Sequence, residues 1–450
     1  MQSTAANPSA LDRGRRKAYW RLLPLLFLCY VIAYADRANV AIAKLSMSQD
    51  LRGFDNAVIG FGAGVFFLGY FLLEIPASLM VEKWGARKII FRIMVTWGFA
   101  AALTAMVRTP FQFYGVRFLV GLAEAGFFPG VIVYLTHWFP ARDRARALSY
   151  FLVATPVAQI TGPKISNALI KIGSDEVVGG VTVHHPQLLG LHGWQWVYIV
   201  WGVPAVVFGF IVLFTLTDRP RDAKWLTPEE KDALERQLGI EKAQRAGGRR
   251  MTLLEAFSNP KVLLLCAAYF CSTSANYSME FFLPSILQQW YALNIDRITW
   301  LVILPPMLAL VSQLLVGWNS DRTKERRLHA VIPMCLGLTA MAVVPLTRGN
   351  LTLTICCFML VIAGNKAYQP AFWSLPSLFL TDVAAAGSIG LINSIGNLGG
   401  FFGPTIMGGV ENATGSFVGG IYYLVGSMAT CAVIIFALGL GIRDRRAPAG

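Results

Sequence analysis

The chain is 450 residues long, 55% hydrophobic and only 14% charged, with a mean hydropathy of +0.54. Soluble domains carry about 25% charged residues, so a soluble enzyme or binding domain of this length is excluded for want of a polar shell. The formal net charge of +14 points first to nucleic acid, but the cations recur between apolar runs instead of forming one basic face, and nucleic acid is excluded as a partner.

Apolar runs of about 20 residues, each long enough to cross a ~30 Å hydrocarbon core as a helix, recur along the whole chain. They are placed at 20–45, 56–81, 89–108, 112–135, 146–171, 194–216, 260–288, 298–317, 330–347, 351–380, 386–410 and 417–441. The lipid bilayer is therefore the expected surrounding. The first run follows a basic head and lacks a small-residue cleavage site before the polar stretch 46–56, so it reads as a retained span and not a signal peptide. On it, Tyr30, Tyr34 and Arg37 fall at i, i+4 and i+7, one polar-aromatic stripe. The planar fork of Arg37 suits a carboxylate. Asp36 stands about 100° round the helix, placed for a contact between helices.

The fourth run carries Arg117 and Glu124, seven apart and so on one helix face, with Gly121, Gly126, Pro129 and Gly130 around the acid. Ionisable residues at bilayer depth are functional candidates by default. Two readings stand: Arg117 sets the local charge while Glu124 takes and releases a proton, or the two form an ion pair that only locks helices. Lys164 on the fifth run and Lys366 on the tenth add cations. Facing a cavity with Arg37 and Arg117, they would favour a dicarboxylate or highly charged sugar acid; otherwise they pair with Glu280 or Glu74, or snorkel. Lys44, near a span end, is expected to snorkel.

The polar segment 217–258 divides six runs from six. Thr227-Pro228-Glu229-Glu230 has the form of a capping box with Pro at the first helical position. A surface helix from 227 to about 244 follows, within a solvated linker. The organisation expected is 1–216 as a six-helix bundle, 217–258 as a cytoplasmic linker and 259–450 as a second six-helix bundle. Lys and Arg crowd the head, the linker and the loops after even-numbered spans, while the other loops carry only Arg52, Arg108, Lys171, Arg297 and Arg348. That bias puts both termini in the cytoplasm.

All seven cysteines lie in apolar runs, without a metal spacing, and read as core-filling residues. The glycine-rich stretch 396–400 follows no strand, so it is no nucleotide loop. No catalytic cluster appears, and neither a cofactor nor a metal is expected; His184, His185 and His192 read as parts of an exposed loop.

The halves align at an offset near 240. Residues 78–88 match 317–327, each placing an acid, a base and a basic pair at one spacing. Pro129 matches Pro370, and Gly162-Pro163 matches Gly403-Pro404. Two related halves with a site between them near the midplane are an alternating-access architecture.

The loop signature resembles that of the major facilitator superfamily, with Ser78 for the usual Gly and Glu82 for the usual Asp in the first copy. The segments YADRANVAIA (34–43), RFLVGLAEAGFFPG (117–130), HWFPARDRARA (137–147) and DAKWLTPEEK (222–231) are similar to the anion:cation symporters, the branch that includes sialin and the vesicular glutamate transporters. The resemblance implies an all-α membrane protein of twelve spans in two six-helix bundles. It also implies proton-coupled symport of a small organic anion, by a monomer in a bacterial inner membrane. By residue, it implies that Asp36 and Glu124 couple protons. It implies that Tyr34, Arg37, Arg117, Gln159, Tyr277, Trp373, Ser374 and Asn393 contact substrate, and that Glu82, Arg87, Asp321 and Arg322 form the gating loops. Exchange or efflux of anions is the alternative within transport. A membrane solute sensor is a distant one, and would need a signalling domain or long tail.

Overall fold

The structure is a computed structural model that describes residues 9–178, 181–246, 258–323, 325–376 and 382–440. Among the described residues the chain makes twelve helical passages. In the first half these are α1 (Ala10–Asp50), α2 (Asn56–Trp84), α3 (Ala86–Leu103), the broken pair α4 (Pro110–Glu124) and α5 (Phe127–Trp138), the broken pair α6 (Ala141–Leu152) and α7 (Ala154–Ile170), and α8 (Gly193–Thr215). A connecting helix, α9 (Pro228–Ala246), follows. The second half runs through α10 (Pro260–Tyr291), the pair α11 (Ile295–Val302) and α12 (Leu304–Thr323), α13 (Arg327–Val343), the pair α14 (Leu351–Ala367) and α15 (Gln369–Phe372), the pair α16 (Asp382–Asn397) and α17 (Gly399–Thr414), and α18 (Val418–Leu440). The expected all-helical fold is present, with one addition. Between α7 and α8, Asp175–Val178 and Val181–His184 pair as an antiparallel hairpin where the sequence suggested only a loop.

Nine helical stretches among the described residues are long and apolar enough to cross a membrane. The passages through α6–α7, α10 and α16–α17 fall short of that mark. They carry Gln159, Glu280 and Asn393 respectively, among other polar and small residues that lower their mean hydropathy. The rest of the surface is studded with exposed apolar side chains such as Phe99, Phe111, Phe214, Leu346 and Val433, as lipid contact requires.

The two halves meet along α2 and α17, whose glycines let the backbones touch. A Cβ on Gly60 or Gly64 would fall on the carbonyl oxygens of Pro404 and Phe401, and one on Gly408 on that of Asn56. Asn56 also donates to Glu411 at 2.7 Å, and Glu411 accepts from Gln289 at 3.0 Å. Nearby, Lys171 reaches Asp296 at 2.8 Å. This is the end of the molecule away from the basic loops, and here it is shut. Gly64→Leu should force the halves apart at this end, since overpacking a close contact costs about 1–3 kcal/mol. The check is the distance between spin labels at Arg52 and Asn412, exposed on either side of the seam; an unchanged distance refutes it.

At the basic end the connecting segment is docked, not solvated as expected. The capping box forms as read: the Thr227 N–H donates to Glu230 at 3.0 Å and the Glu230 N–H to Thr227 Oγ1 at 3.3 Å. Leu234 of α9 is fully buried, set against Gly14 of α1. Lys17 of α1 reaches Glu230 at 2.8 Å, with Arg13 at 3.7 Å. Burial alone would push the Glu230 carboxyl up; the Lys17 hydrogen bond, the Thr227 N–H and Arg13 outweigh it and hold it below the usual carboxylate range. A lowered folded value means this docking contributes stability above the ordinary carboxylate range and loses it as pH falls through the lowered value. Protease cleavage within 228–246 should therefore rise on acidification through that window. Glu230→Gln should be cleaved readily at neutral pH and show little further change.

Candidate functional site

The fourth passage breaks at the residue that matters most. Glu124 ends α4, Ala125 leaves the helix, and Gly126 adopts φ 87°, the left-handed region that favours glycine. A Cβ on Gly126 would run into Ala77 of α2, and one on Gly121 into the Phe66 carbonyl. Small residues thus draw α4 against α2 and set the Glu124 carboxyl at an unwound turn in the interior, 1% exposed. There it meets Arg37 of α1. Glu124 Oε1 accepts from Arg37 Nε at 2.7 Å and lies 2.6 Å from Nη2, while Oε2 is buried without a hydrogen-bond partner. The guanidinium lies 5.2 and 5.0 Å from the ring centres of Phe66 and Tyr70, which hold the fork in place.

The ion pair is not the one the i, i+7 spacing suggested. Seven residues rise about 10 Å along a helix, so Glu124 takes its cation from the neighbouring α1. Arg117 points into the same region, 5.0 Å from the Phe66 ring, with its Nε buried and unpartnered.

Arg37 and Arg117 line a chamber between the halves, with Tyr34 and Phe66 on the same side and Tyr277 and Glu280 on the other, while Glu124 stands behind Arg37. The chamber's volume is about 40 Å³, room for waters and not for an organic acid, so the halves must part to admit one. The Tyr34 hydroxyl donates to Glu280 at 3.1 Å and accepts from Gln159 at 3.4 Å. Tyr277 packs on Phe67, ring centres 4.4 Å apart. Asn393 donates to Glu74 of α2, as does Ser394 at 3.1 Å, joining the halves on the basic side of the chamber.

The remaining sequence candidates divide. Asp36 is buried and accepts from the Trp97 indole of α3 at 3.0 Å, off the chamber but in the field of Arg117 and Arg37. Lys366 forms an ion pair with Glu280 at 3.1 Å, one of the two acids the sequence offered it as a partner. Lys164 does not face the chamber. It is exposed, its ammonium 3.9 Å from the Trp300 ring centre, so a four-cation cavity is not what the side chains build. Trp373 packs edge-on to Tyr269 at 4.8 Å, and the Ser374 hydroxyl turns back to the Ala371 carbonyl at 2.6 Å; neither is among the chamber-lining residues. Of the loop residues, Arg87 receives an anchor through its backbone N–H to Asp218 at 2.8 Å, and Arg322 is exposed against Trp318. The side chains of Glu82 and Asp321 lie outside the described residues.

Two residues stand otherwise than the sequence suggests. Glu74, an ionisable candidate at bilayer depth and an expected partner for a lysine, instead joins α2 to α16. Lys44 does not snorkel: it is 2% exposed, its ammonium 3.9 Å from the Phe282 ring centre and 4.3 Å from that of Phe281.

Comparison with known proteins agrees with this architecture. The family model described as Major Facilitator Superfamily matches residues 26–404. A protein of Agrobacterium vitis named as a tartrate transporter is 40% identical over 426 residues, covering 95% of this chain and 91% of its own. A quinolone resistance transporter of Acinetobacter baumannii is 35% identical over 410 residues, 91% of each chain. Among solved structures, a bacterial homologue of the human lysosomal transporter Spinster, inward-facing and occupied, superposes with a TM-score of 0.73 at 15% identity, covering 93% of this chain and 96% of that one; at that identity the likeness concerns fold alone.

Proposed function

Since the chain belongs to the major facilitator superfamily, and is a multi-pass membrane transporter and not an enzyme, we propose that it moves a small organic anion together with protons by alternating access. The observation that carries the reading is the Arg37–Glu124 pair, buried at a helix break beside a chamber between the halves. Buried ionisable groups are expensive in a bilayer and persist where they serve a solute or a proton. Arg37 offers a carboxylate two parallel donors. When a substrate carboxylate takes that fork, Glu124 loses its partner and accepts a proton. Arg117 supplies further positive charge at the lining, and Tyr34, Gln159 and Tyr277 supply hydrogen bonds. Asp36, in the field of Arg117 and Arg37, is the second acid of the relay. The name of the Agrobacterium relative supports a carboxylic acid as cargo.

The setting proposed is a bacterial inner membrane, with both termini in the cytoplasm and the single chain as the working unit. The loops carrying Glu82, Arg87, Asp321 and Arg322 would gate the cytoplasmic end. The test is uptake of radiolabelled carboxylates into proteoliposomes under an imposed pH gradient. Accumulation above the external concentration supports the reading; equilibration that ignores the gradient defeats it. A second reading, export against protons, is favoured by the resistance transporter among the relatives. It requires the same pair, and predicts loss of loaded acid when the outside is acidified.

A further inference from the structure

The second half of the chain holds its own acid–base pair at the chamber, the acid on the lining and the base behind it. Glu280 of α10 lines the chamber, and its carboxylate gathers Lys366 Nζ at 3.1 Å, Asn276 Nδ2 at 2.9 Å and the Tyr34 hydroxyl at 3.1 Å. Neither charge is sealed off: the Glu280 and Lys366 side chains keep 16% and 17% of their exposure, where Glu124 keeps 1%. A bridge that only fastened helices would have no need of that access.

The two pairs are related by the internal repeat. The offset of 241 that aligns Pro129 with Pro370 places Arg37 on Ser278 and Glu124 on Asn365, within two residues of Glu280 and Lys366. In the first half the cation stands on the first helix and the acid at the break of the fourth. In the second half the acid stands on the first helix, α10, and the cation in the last turn of α14, just before the break at Tyr368. The same two helices of each half carry the pair, and the charges are exchanged between them. A cation also suits that helix end, where the backbone carbonyls are unpaired. Tyr34, on the Arg37 stripe of α1, ties one pair to the other through its bond to Glu280.

We propose that Glu280 and Lys366 form a second anion-and-proton site, so that the chamber prefers small acids with two carboxylates over acids with one. The proposal rests on the transport reading above and names its substrate class. Arg37 receives one carboxylate and Lys366 the other. Each displaces the resident acid, and the freed Glu124 and Glu280 each take up one solution proton, delivered by hydronium, from the open side. No other bond is made or broken. On the far side both protons leave with the dianion, and each acid returns to its cation. Two protons with a dianion add no net charge to the chamber, which matters because uncompensated charge is costly at bilayer depth. The charged and titratable groups that face Glu280 are Lys366 of α14, Tyr34 and Arg37 of α1 and Arg117 of α4, with Tyr277 on its own helix.

The test uses two pairs of acids that differ only in one terminal group: tartrate against threonate, and galactarate against galactonate. Uptake into proteoliposomes is driven by an imposed pH gradient. The wild type should favour the di-acid of at least one pair, and Lys366→Gln should lower that preference by about tenfold or more, the scale of one lost charge-assisted hydrogen bond. Lys366→Arg should keep it. Should Lys366→Gln fold poorly with Glu280 unpaired, the double variant Glu280→Gln/Lys366→Gln leaves no orphan charge and must show the same fall. Glu280→Gln alone would carry a dianion with one proton, so an inside-negative potassium diffusion potential should slow its di-acid uptake while the wild type stays indifferent. A wild-type ratio near one, a ratio unchanged in Lys366→Gln or the double variant, or a Glu280→Gln protein indifferent to potential overturns the second site and leaves the transport reading standing. A pH gradient that drives none of the four acids overturns the transport reading, and this proposal with it.

Discussion

Glu124→Gln should abolish uphill accumulation of substrate in proteoliposomes while leaving counterflow exchange in place. Gln keeps the length and polarity of the side chain, and its carbonyl still accepts from Arg37 at the break of α4. What it cannot do is change charge. Coupling requires the acid to hold a proton while substrate is bound and to return to Arg37 when the chamber is unloaded. A permanently neutral side chain holds the site in the protonated form, in which substrate crosses in both directions but carries nothing with it. The driving force removed is large: each pH unit is worth about 1.4 kcal/mol per proton, about a tenfold gradient of substrate. The steady-state ratio of internal to external substrate, measured at several imposed gradients, decides it. A Glu124→Gln protein that still concentrates substrate would take the coupling role away from this residue. The wild-type control is the same assay with the gradient collapsed, where accumulation should vanish and exchange persist.

How much of this was legible beforehand follows from what each signal depends on. Most spans came through because hydropathy over 20 residues is a local sum, and the capping box at Thr227 because its partners lie three residues apart. The tyrosine–arginine stripe of α1 came through because helical period alone places Tyr34 and Arg37 on one face. Pairing across helices did not. The seven-residue spacing of Arg117 and Glu124 named the right acid and the wrong cation, since the reach from α1 to α4 depends on how closely Gly121 and Gly126 let α2 and α4 pack. The docking of α9 was missed for a similar reason: Glu230 reads as a surface cap until Lys17 and Arg13, over 200 residues away in sequence, close on it. Lys44 was misjudged because nearness to a span end suggested snorkelling, while the structure buries its ammonium against Phe281 and Phe282 from the other half. Lys164 erred the other way. It sits within an apolar run, yet faces outward and finds an aromatic ring.

Arg37→Gln should be the more damaging change of the two, removing exchange as well as accumulation. In the wild type Arg37 has two tasks that alternate. With the chamber unloaded it neutralises Glu124, which is 1% exposed and has no other cation within ion-pair distance among the described residues; with substrate bound it meets the carboxylate. Loss of one member of a buried pair costs about 3–5 kcal/mol because the other charge is stranded. The stranded Glu124 offsets part of that cost by holding a proton permanently, so coupling is lost. The substrate's carboxylate then finds no fork, and affinity should fall by about two orders of magnitude or more, as for other truncated charge pairs. The double variant Arg37→Gln/Glu124→Gln separates the two effects. It strands nothing, so thermal stability in detergent should recover toward the wild type, while substrate exchange should not. If exchange returned with stability, Arg37 would be no more than the counter-ion of Glu124, and the anion would have to be held elsewhere, with Arg117 the nearest cation left on the chamber wall.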